Sequence, residues 1–149
     1  MRTFLALLGL LWLVGCVHTP KTGSLETLKP AAETFHQRIR WRDFHGAAEL
    51  IVPERQEAYL LARRQQNDER DLTVSDYQLE DAKLSTNGLR ATVTSRISWV
   101  RLPSASEHSD LVVSEFVYRD GTWWLARQDT GPFSPELAAP FLLDAPDAG

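Results

Sequence analysis

Apolar residues recur at helical spacing in the chain that follows residue 30. Ala31, Phe35 and Ile39 repeat at every fourth position, and the polar positions between them include His36. Pro30 suits a first helical turn, where the backbone N–H has no partner inside the helix. This pattern predicts an amphipathic first helix that begins at Pro30.

Two more helices are predicted before residue 72. Asp43 is a good N-cap for the second helix, and Pro53 opens the third. Each segment carries apolar residues on one helical face: Phe44, Ala47, Ala48 and Ile51 in the second, and Ala58, Leu61 and Ala62 in the third. A polar cluster at residues 67–71 ends the third helix.

From Leu72 onward the apolar period changes to two residues, which is typical of β-strands. Four strands are predicted, over residues 72–84, 89–102, 111–119 and 122–129. In the second of them one face is apolar and should cover a core. That face consists of Leu89, Ala91, Val93, Ile97 and Trp99.

Two dipeptides between consecutive strands indicate tight hairpins. Asn87-Gly88 separates the first two strands, and Asp120-Gly121 separates the last two. Asn, Asp and Gly tolerate the positive φ angles that such turns need. Because no helix lies between the strands, they should form an antiparallel sheet. The predicted fold class is α+β, with three N-terminal helices packed on a curved four-stranded sheet over residues 30–130.

The order of these elements resembles the cone-shaped fold of nuclear transport factor two and ketosteroid isomerase. The likeness is carried by the segment WRDFHGAAELI at the second helix and by the closing hairpin YRDGTWWLARQD, and it spans about residues 31–129. Enzymes of the ketosteroid isomerase type place an acidic base and hydrogen-bond donors inside an apolar cone, where burial shifts carboxyl pKa values. The resemblance implies a fold rather than a function.

The chain opens with a signal-peptide pattern at residues 1–15. Arg2 precedes an apolar run of 12 residues, 4–15, that ends in a glycine. A membrane-spanning helix needs about 20 apolar residues, so this run is too short to be a span. We therefore expect the segment to be removed on export.

The end of the apolar run resembles the lipobox of bacterial lipoproteins, Leu13-Val14-Gly15-Cys16. The resemblance implies cleavage between Gly15 and Cys16, a diacylglyceryl thioether on the Cys16 sulfur and usually an acyl group on the new amine. At about 0.8 kcal/mol per buried CH₂, two or three acyl chains make membrane attachment effectively permanent. Val17 stands where an aspartate tends to retain enteric lipoproteins in the inner membrane, which favours the outer membrane, facing the periplasm.

Two segments flank the predicted domain. Residues 16–29 comprise the lipidated cysteine and a stretch with Pro, Gly, Thr and Ser, which predicts a flexible tether. Residues 131–149 contain four prolines and can form a turn at Ser134-Pro135-Glu136 but no long helix. Four apolar residues of this tail are expected to pack on the domain: Phe133, Leu137, Phe141 and Leu142.

Charge and cysteine content restrict the function classes. Without Arg2 the chain has 15 basic and 20 acidic residues, a formal charge of −5, which argues against binding nucleic acid or docking electrostatically on anionic lipid. Cys16 is the only cysteine, so lipidation leaves no thiol for catalysis or a disulfide. The four histidines, at positions 18, 36, 45 and 108, lack the short spacing of zinc ligands. No metal site and no cofactor is predicted.

Glu115 and Tyr118 are the candidate catalytic residues. Glu115 shares a strand face with Val113 and Val117, but the opposite face carries Phe116 and Tyr118 and is apolar too. The direction of the Glu115 side chain is therefore open. Tyr118 is equally compatible with an oxyanion donor and with a packing residue of the sheet.

Tryptophans on the predicted strands suggest a second kind of site. Trp123 and Trp124 are adjacent, so one of them should face away from the helices. Together with Trp99, they either pack in the core and on the surface or form an exposed aromatic patch for a partner.

The leading hypothesis is a lipid-anchored, non-catalytic domain of the cell envelope, of unknown molecular role. Its sheet or cone would contact another envelope protein, a second copy of itself or a small apolar ligand. The hypothesis rests on the lipobox, the α+β pattern and the lack of catalytic motifs such as Gly-x-Ser-x-Gly. The alternative is a small enzyme of the ketosteroid isomerase type that uses Glu115 and Tyr118.

Overall fold

The computed structural model describes residues 21–142, so the signal segment, the lipobox and Cys16 lie outside the described residues. Helices come first and strands follow: α1 (Leu25–Arg40), α2 (Phe44–Ala48), α3 (Pro53–Gln65), α4 (Asp68–Asp71), β1 (Leu72–Leu84), β2 (Arg90–Arg101), β3 (Glu107–Arg119), β4 (Thr122–Gln128) and α5 (Ser134–Leu137). The predicted α+β class is confirmed, but the described residues contain five helices instead of three.

Helix α1 begins at Leu25, and not at Pro30 as the sequence pattern predicted. The Ser24 hydroxyl accepts a hydrogen bond from the Thr27 backbone N–H at 3.4 Å, and the Thr27 hydroxyl accepts one from the Ser24 N–H at 3.4 Å. This reciprocal capping satisfies two N–H groups that would otherwise have no partner. Leu28 is fully buried. The prediction of a flexible tether up to residue 29 is therefore wrong for residues 25–29, which belong to α1.

The two further helices are single turns. Asn67 adopts a positive φ of 52° at the end of α3 and lets the chain turn into α4. Helix α5 is the turn expected around Pro135. Of the tail residues expected to pack, Phe133 and Leu137 are fully buried, whereas Leu142 is 82% exposed, so that expectation is wrong for Leu142.

The four strands form one antiparallel sheet in the order β1-β2-β3-β4. The predicted bounds match β1 fully, but β3 begins at Glu107, four residues before the predicted start, because Glu107 pairs with Val100. Gly88, Asp120 and Gly121 have positive φ angles of 67°, 52° and 79°, as tight turns require.

Helix α1 packs on one face of the sheet, which we call the inward face; the other is the outward face. Along β2 the inward residues Ala91, Val93 and Ile97 are buried, as the alternation predicted. Large side chains fill the space between the sheet and the helices: Phe35, Phe44, Tyr59, Phe116 and Phe133 are each at most 2% exposed. The inside of the curved sheet is thus a packed core.

The domain has two distinct ends. At the hairpin end lie both tight turns and the start of α1, since the Gly23 N–H donates to the Gly88 carbonyl at 2.9 Å. At the opposite end, the loop end, lie the β2–β3 loop at residues 102–106 and the end of α1. There the Arg42 guanidinium donates to the Thr73 hydroxyl at 2.7 Å. Helix α1, with 16 residues, spans about 24 Å between the two ends.

Candidate functional site

Glu115 lies on the outward face of β3. Its neighbours Ser114 and Phe116 are buried on the inward face, so the Glu115 carboxylate points away from the core. It accepts a hydrogen bond from Arg127 at 2.9 Å and forms an ion pair with Arg90 at 3.8 Å. Glu115 therefore offers no base to a molecule inside the cone.

The arginines beside Glu115 hold the C-terminal segment instead. Arg127 donates from Nε to the Ala138 carbonyl at 2.8 Å, and Arg90 donates to the Phe141 carbonyl at 2.9 Å. Arg55 of α3 donates to three carbonyls of the same segment, Leu137 at 3.0 Å, Ala139 at 2.7 Å and Pro140 at 3.0 Å. We call Arg55, Arg90 and Arg127 the arginine clamp. Glu115 is its counter-ion.

Tyr118 is a packing residue on the inward face. It is 7% exposed, and its ring contacts Trp123 edge to face at 5.1 Å between centroids. The Trp123 indole N–H donates to the Thr27 hydroxyl at 3.0 Å, which joins β4 to the first turn of α1. Trp124 faces outward and is half-buried. The expected division between the two tryptophans is confirmed.

Three polar side chains are buried on the inward face of the sheet. Ser95 on β2, Ser114 on β3 and Gln128 on β4 are each fully buried. The Gln128 amide donates to the Ser114 hydroxyl at 3.0 Å. Within residues 21–142 neither the Ser95 hydroxyl nor the Gln128 side-chain carbonyl has a protein partner. Buried polar atoms of this kind are commonly satisfied by internal water.

His36 is buried on α1, and not on a polar face as the sequence pattern suggested. Its Nδ1 donates to the Ala32 carbonyl at 2.7 Å, and its ring stacks on Tyr77 at 4.3 Å. Burial lowers the pKa of His36 from 6.5 to about 4, so the ring is neutral at neutral pH. No group of the described chain donates to Nε2, which is left as an acceptor. The sequence did contain a signal for this burial, because His36 falls beside Phe35 and Ile39 on the apolar stripe of the helix.

A buried ion cluster joins four elements near the loop end. Arg63 of α3 contacts Asp68 of α4 at 2.7 Å and also pairs with Glu136 of α5. Arg101 at the end of β2 donates to the Asp68 carboxylate at 3.0 Å. The Arg63 guanidinium lies 4.5 Å from the centre of the Phe133 ring. Burial raises the pKa of Glu136 to about 7. Two cations and two acids thus compensate each other where water has little access.

Trp41 is a largely exposed aromatic side chain beside two concave surfaces. It follows the last residue of α1 and is 77% exposed. Trp41 stands between two grooves, of about 580 Å³ and about 370 Å³. The larger is lined by Glu33, Gln37, Arg40, Trp41, Val74 and Tyr77, and the smaller by Thr34, Gln37, Arg38, Trp41 and Asp43. We call these residues the Trp41 surface.

The Trp41 surface is built on rigid elements. Arg38 and Asp43, at the rim of the smaller groove, form an ion pair at 2.6 Å, and Asp43 also caps α2 by accepting from the Gly46 N–H at 2.9 Å. In the larger groove Tyr77 is fixed by its stack on His36. Trp41 lies at the end of α1 and not on a strand, and no periodic signal in the sequence marked it.

Residues 21–142 also limit which kinds of site this part of the chain can form. It contains no group of three or more histidine, cysteine, aspartate or glutamate side chains arranged to hold a metal ion. In the same part of the chain, no helix is both long and apolar enough to cross a membrane.

No family model and no curated protein matches the chain in sequence. Solved structures do match in shape. An NTF-2 like protein of unknown function from Shewanella oneidensis aligns with a TM-score of 0.55 and 11% identity, over 69% of this chain and 94% of the other. A SEC-C motif containing protein from Rhodopseudomonas palustris aligns with a TM-score of 0.54 and 17% identity, over 68% and 77%. A protein of unknown function from Mycobacterium tuberculosis aligns with a TM-score of 0.54 and 14% identity, over 70% of this chain and 68% of the other. At these identities the likeness concerns the fold alone, and the fold of the described domain is NTF2-like.

Proposed function

We propose that this protein is a lipoprotein of the cell envelope, anchored through Cys16, whose NTF2-like domain binds another envelope protein without catalysing a reaction. The observation that carries the binding role is Trp41, a large aromatic side chain that is 77% exposed between two grooves. Tryptophan is enriched among the residues that dominate binding energy at protein interfaces. A protein partner is therefore the occupant that we propose.

The rim of the Trp41 surface supports a protein partner over a small apolar ligand. Charged and polar side chains surround the indole, including Glu33, Gln37, Arg38 and Arg40. A central aromatic residue with a polar rim is the usual composition of a protein interface. Both grooves are partly open to solvent, whereas small-molecule sites enclose most of the ligand surface.

The non-catalytic role is supported by how the core is occupied. Phe35, Phe116 and Phe133 are each at most 2% exposed and fill the space between the sheet and the helices, inside the cone where the enzyme alternative required its base. Glu115, the acid that the catalytic alternative required, is an ion-pair partner of Arg127 on the other face. The enzyme alternative therefore has no base at the position that it assigned.

The membrane anchor is tested by replacing Cys16. We expect Cys16→Ser to abolish lipid attachment, so that the protein leaves the membrane fraction or accumulates as the unprocessed precursor. Fractionation on a density gradient would also separate inner from outer membrane, where we place the protein facing the periplasm. An unchanged mass and unchanged membrane fractionation in Cys16→Ser would refute the anchor.

The binding role is tested by photocrosslinking in intact cells from Gln37, which lines both grooves. A photoreactive amino acid at position 37 should give one defined crosslinked protein, and Trp41→Ala should remove that product. Leu61→Ala is the matched control, because Leu61 is 45% exposed on α3, away from both grooves. A product that survives Trp41→Ala would contradict the proposal, and a product of twice the chain mass would identify a second copy as the occupant.

A further inference from the structure

The chain is fixed to the domain much earlier than the sequence pattern indicated. Gly23 donates its N–H to the Gly88 carbonyl at 2.9 Å and packs closely against the indole of Trp123. A Cβ at position 23 would stand 2.1 Å from the Trp123 ring, so only glycine fits there. The next residue, Ser24, caps α1. The point where the tether leaves the domain is therefore set at the hairpin end.

Little chain remains between this point and the proposed anchor. Only residues 17–22 separate Cys16 from Gly23, which is seven Cα-to-Cα steps. Fully extended, seven steps span about 25 Å, and a flexible chain of this length has a typical end-to-end distance of about 15 Å. The hairpin end is thus held next to the bilayer, while the loop end lies about 24 Å further along α1.

Resting on the proposed lipid anchor, we propose that the hairpin end is a membrane-contacting surface that lies on zwitterionic phospholipid headgroups, so that the Trp41 surface points away from the anchoring bilayer. The chain length outside the structure and the place where it ends carry this assignment. A short tether keeps the local concentration of headgroups at the hairpin end high, so weak contacts suffice.

The side chains at the hairpin end suit a headgroup layer. Leu25 and Leu84 are 38% and 37% exposed there. All three lysines of the chain lie at this end, Lys21 before the cap, Lys29 on the second turn of α1 and Lys83 at the end of β1. Lysine stems can lie along apolar surface while the ammonium groups reach phosphate oxygens.

Acids at the same end decide which headgroup fits. Asp81 pairs with Lys83 at 3.0 Å, and Glu26 and Asp120 lie on the first turn of α1 and in the β3–β4 turn. Three acids and three lysines give a formal charge of zero, and the two ion pairs beside this end, Glu54–Arg119 and Arg90–Glu115, leave that charge unchanged. A surface that has zero net charge but carries charges of both signs matches a zwitterionic headgroup layer. Anionic lipid would add little binding energy to such a surface.

The experiment measures lysine acylation on vesicles. The chain from Cys16 onward is coupled through its thiol to a maleimide phospholipid in phosphatidylcholine vesicles, or to a small soluble maleimide as the reference. Arg64→Lys supplies a reporter at the loop end, because α3 starts beside the hairpin end with the Glu54–Arg119 pair and ends beside Asp68. Acylation by a water-soluble reagent is followed by mass spectrometry at each lysine.

We expect Lys29 and Lys83 to react several-fold more slowly on the vesicle than in the soluble reference, with no change at the reporter of Arg64→Lys. A long Gly/Ser insertion between Lys21 and Thr22 should restore the rates. Equal protection at the reporter, no protection at Lys29 and Lys83, or protection that survives the insertion would overturn the proposal. Because the vesicle supplies the anchor chemically, this result is independent of whether the cell lipidates Cys16, which Cys16→Ser tests.

Discussion

Glu115 and Arg127 form an ion pair of 2.9 Å between oxygen and nitrogen on the outward face of the sheet, and the same guanidinium donates to the Ala138 carbonyl at 2.8 Å. One acid thus orients two arginines of the clamp, since Arg90 lies 3.8 Å from its other oxygen. The residue that looked like a candidate base holds the C-terminal segment in place.

We predict that Glu115→Gln loosens that segment with little loss of global stability. The pair is partly exposed, so its contribution should be within about 1 kcal/mol. Hydrogen exchange of the Ala138 N–H, which donates to the Ser134 carbonyl, should accelerate several-fold, while the urea midpoint changes little. Glu80→Gln is the matched control, because it removes the partly exposed pair with Arg96 at 2.8 Å. Equal acceleration in both variants would contradict the clamp.

Arg63→Met should destabilise the domain by about 3 to 5 kcal/mol, because it leaves Asp68 and Glu136 buried without their shared cation. Adding Glu136→Gln to this variant should recover part of the loss, since one uncompensated acid is then removed. Urea unfolding followed by tryptophan fluorescence measures both effects. If the double variant is less stable than Arg63→Met, the charge explanation fails.

The raised pKa of Glu136 predicts a pH effect. Burial raises this pKa from 4.5 to about 7, so the folded chain holds a proton that the unfolded chain releases. The resulting stabilisation is fully present below pH 4.5 and is lost as the pH rises to 7. Relative to Glu136→Gln, the parent protein should lose on the order of 2 to 3 kcal/mol over this interval. A difference between the two proteins that is independent of pH would exclude this assignment.

His36 predicts the opposite dependence. Burial lowers its pKa from 6.5 to about 4, so the stabilisation is present above pH 6.5 and is lost as the pH falls to 4. His36→Phe keeps an aromatic ring against Tyr77 and cannot titrate. The parent protein should lose about 3 kcal/mol relative to this variant across that interval. Urea midpoints at pH 7 and pH 4.5 test the prediction, and an ordinary His36 pKa by NMR titration would disprove it.

Local chemistry made the strands predictable. Alternation and the turn residues Gly88, Asp120 and Gly121 act over a few neighbours, so β1 matches in full and the hairpins fall where expected. The start of α1 was missed because the cap joins Ser24 to Thr27 in a pattern without the usual acid, while Pro30 offered a stronger but false start.

Contacts between distant segments could not be read from local patterns. Arg63, Asp68, Arg101 and Glu136 come from four elements and meet only after folding. The direction of Glu115 stayed open for a related reason. Val117 faces away from α1 but is still fully buried, between Arg90 of β2 and Trp124 of β4. The direction of a strand side chain is inferred from the difference in polarity between the two faces of the strand. Where both faces are apolar, as around Glu115, this difference is missing.

The arginine clamp has a practical consequence for handling this protein. Its five hydrogen bonds to residues 137–141 all end on main-chain carbonyls, so the side chains at positions 138 and 139 are free to change. A reporter fused after Leu142 should leave the domain intact. Truncation before Ala138 would remove carbonyl acceptors from the guanidinium groups of Arg55, Arg90 and Arg127. The exposed positive charge would then bind polyanions in a lysate, and such binding would have no physiological meaning.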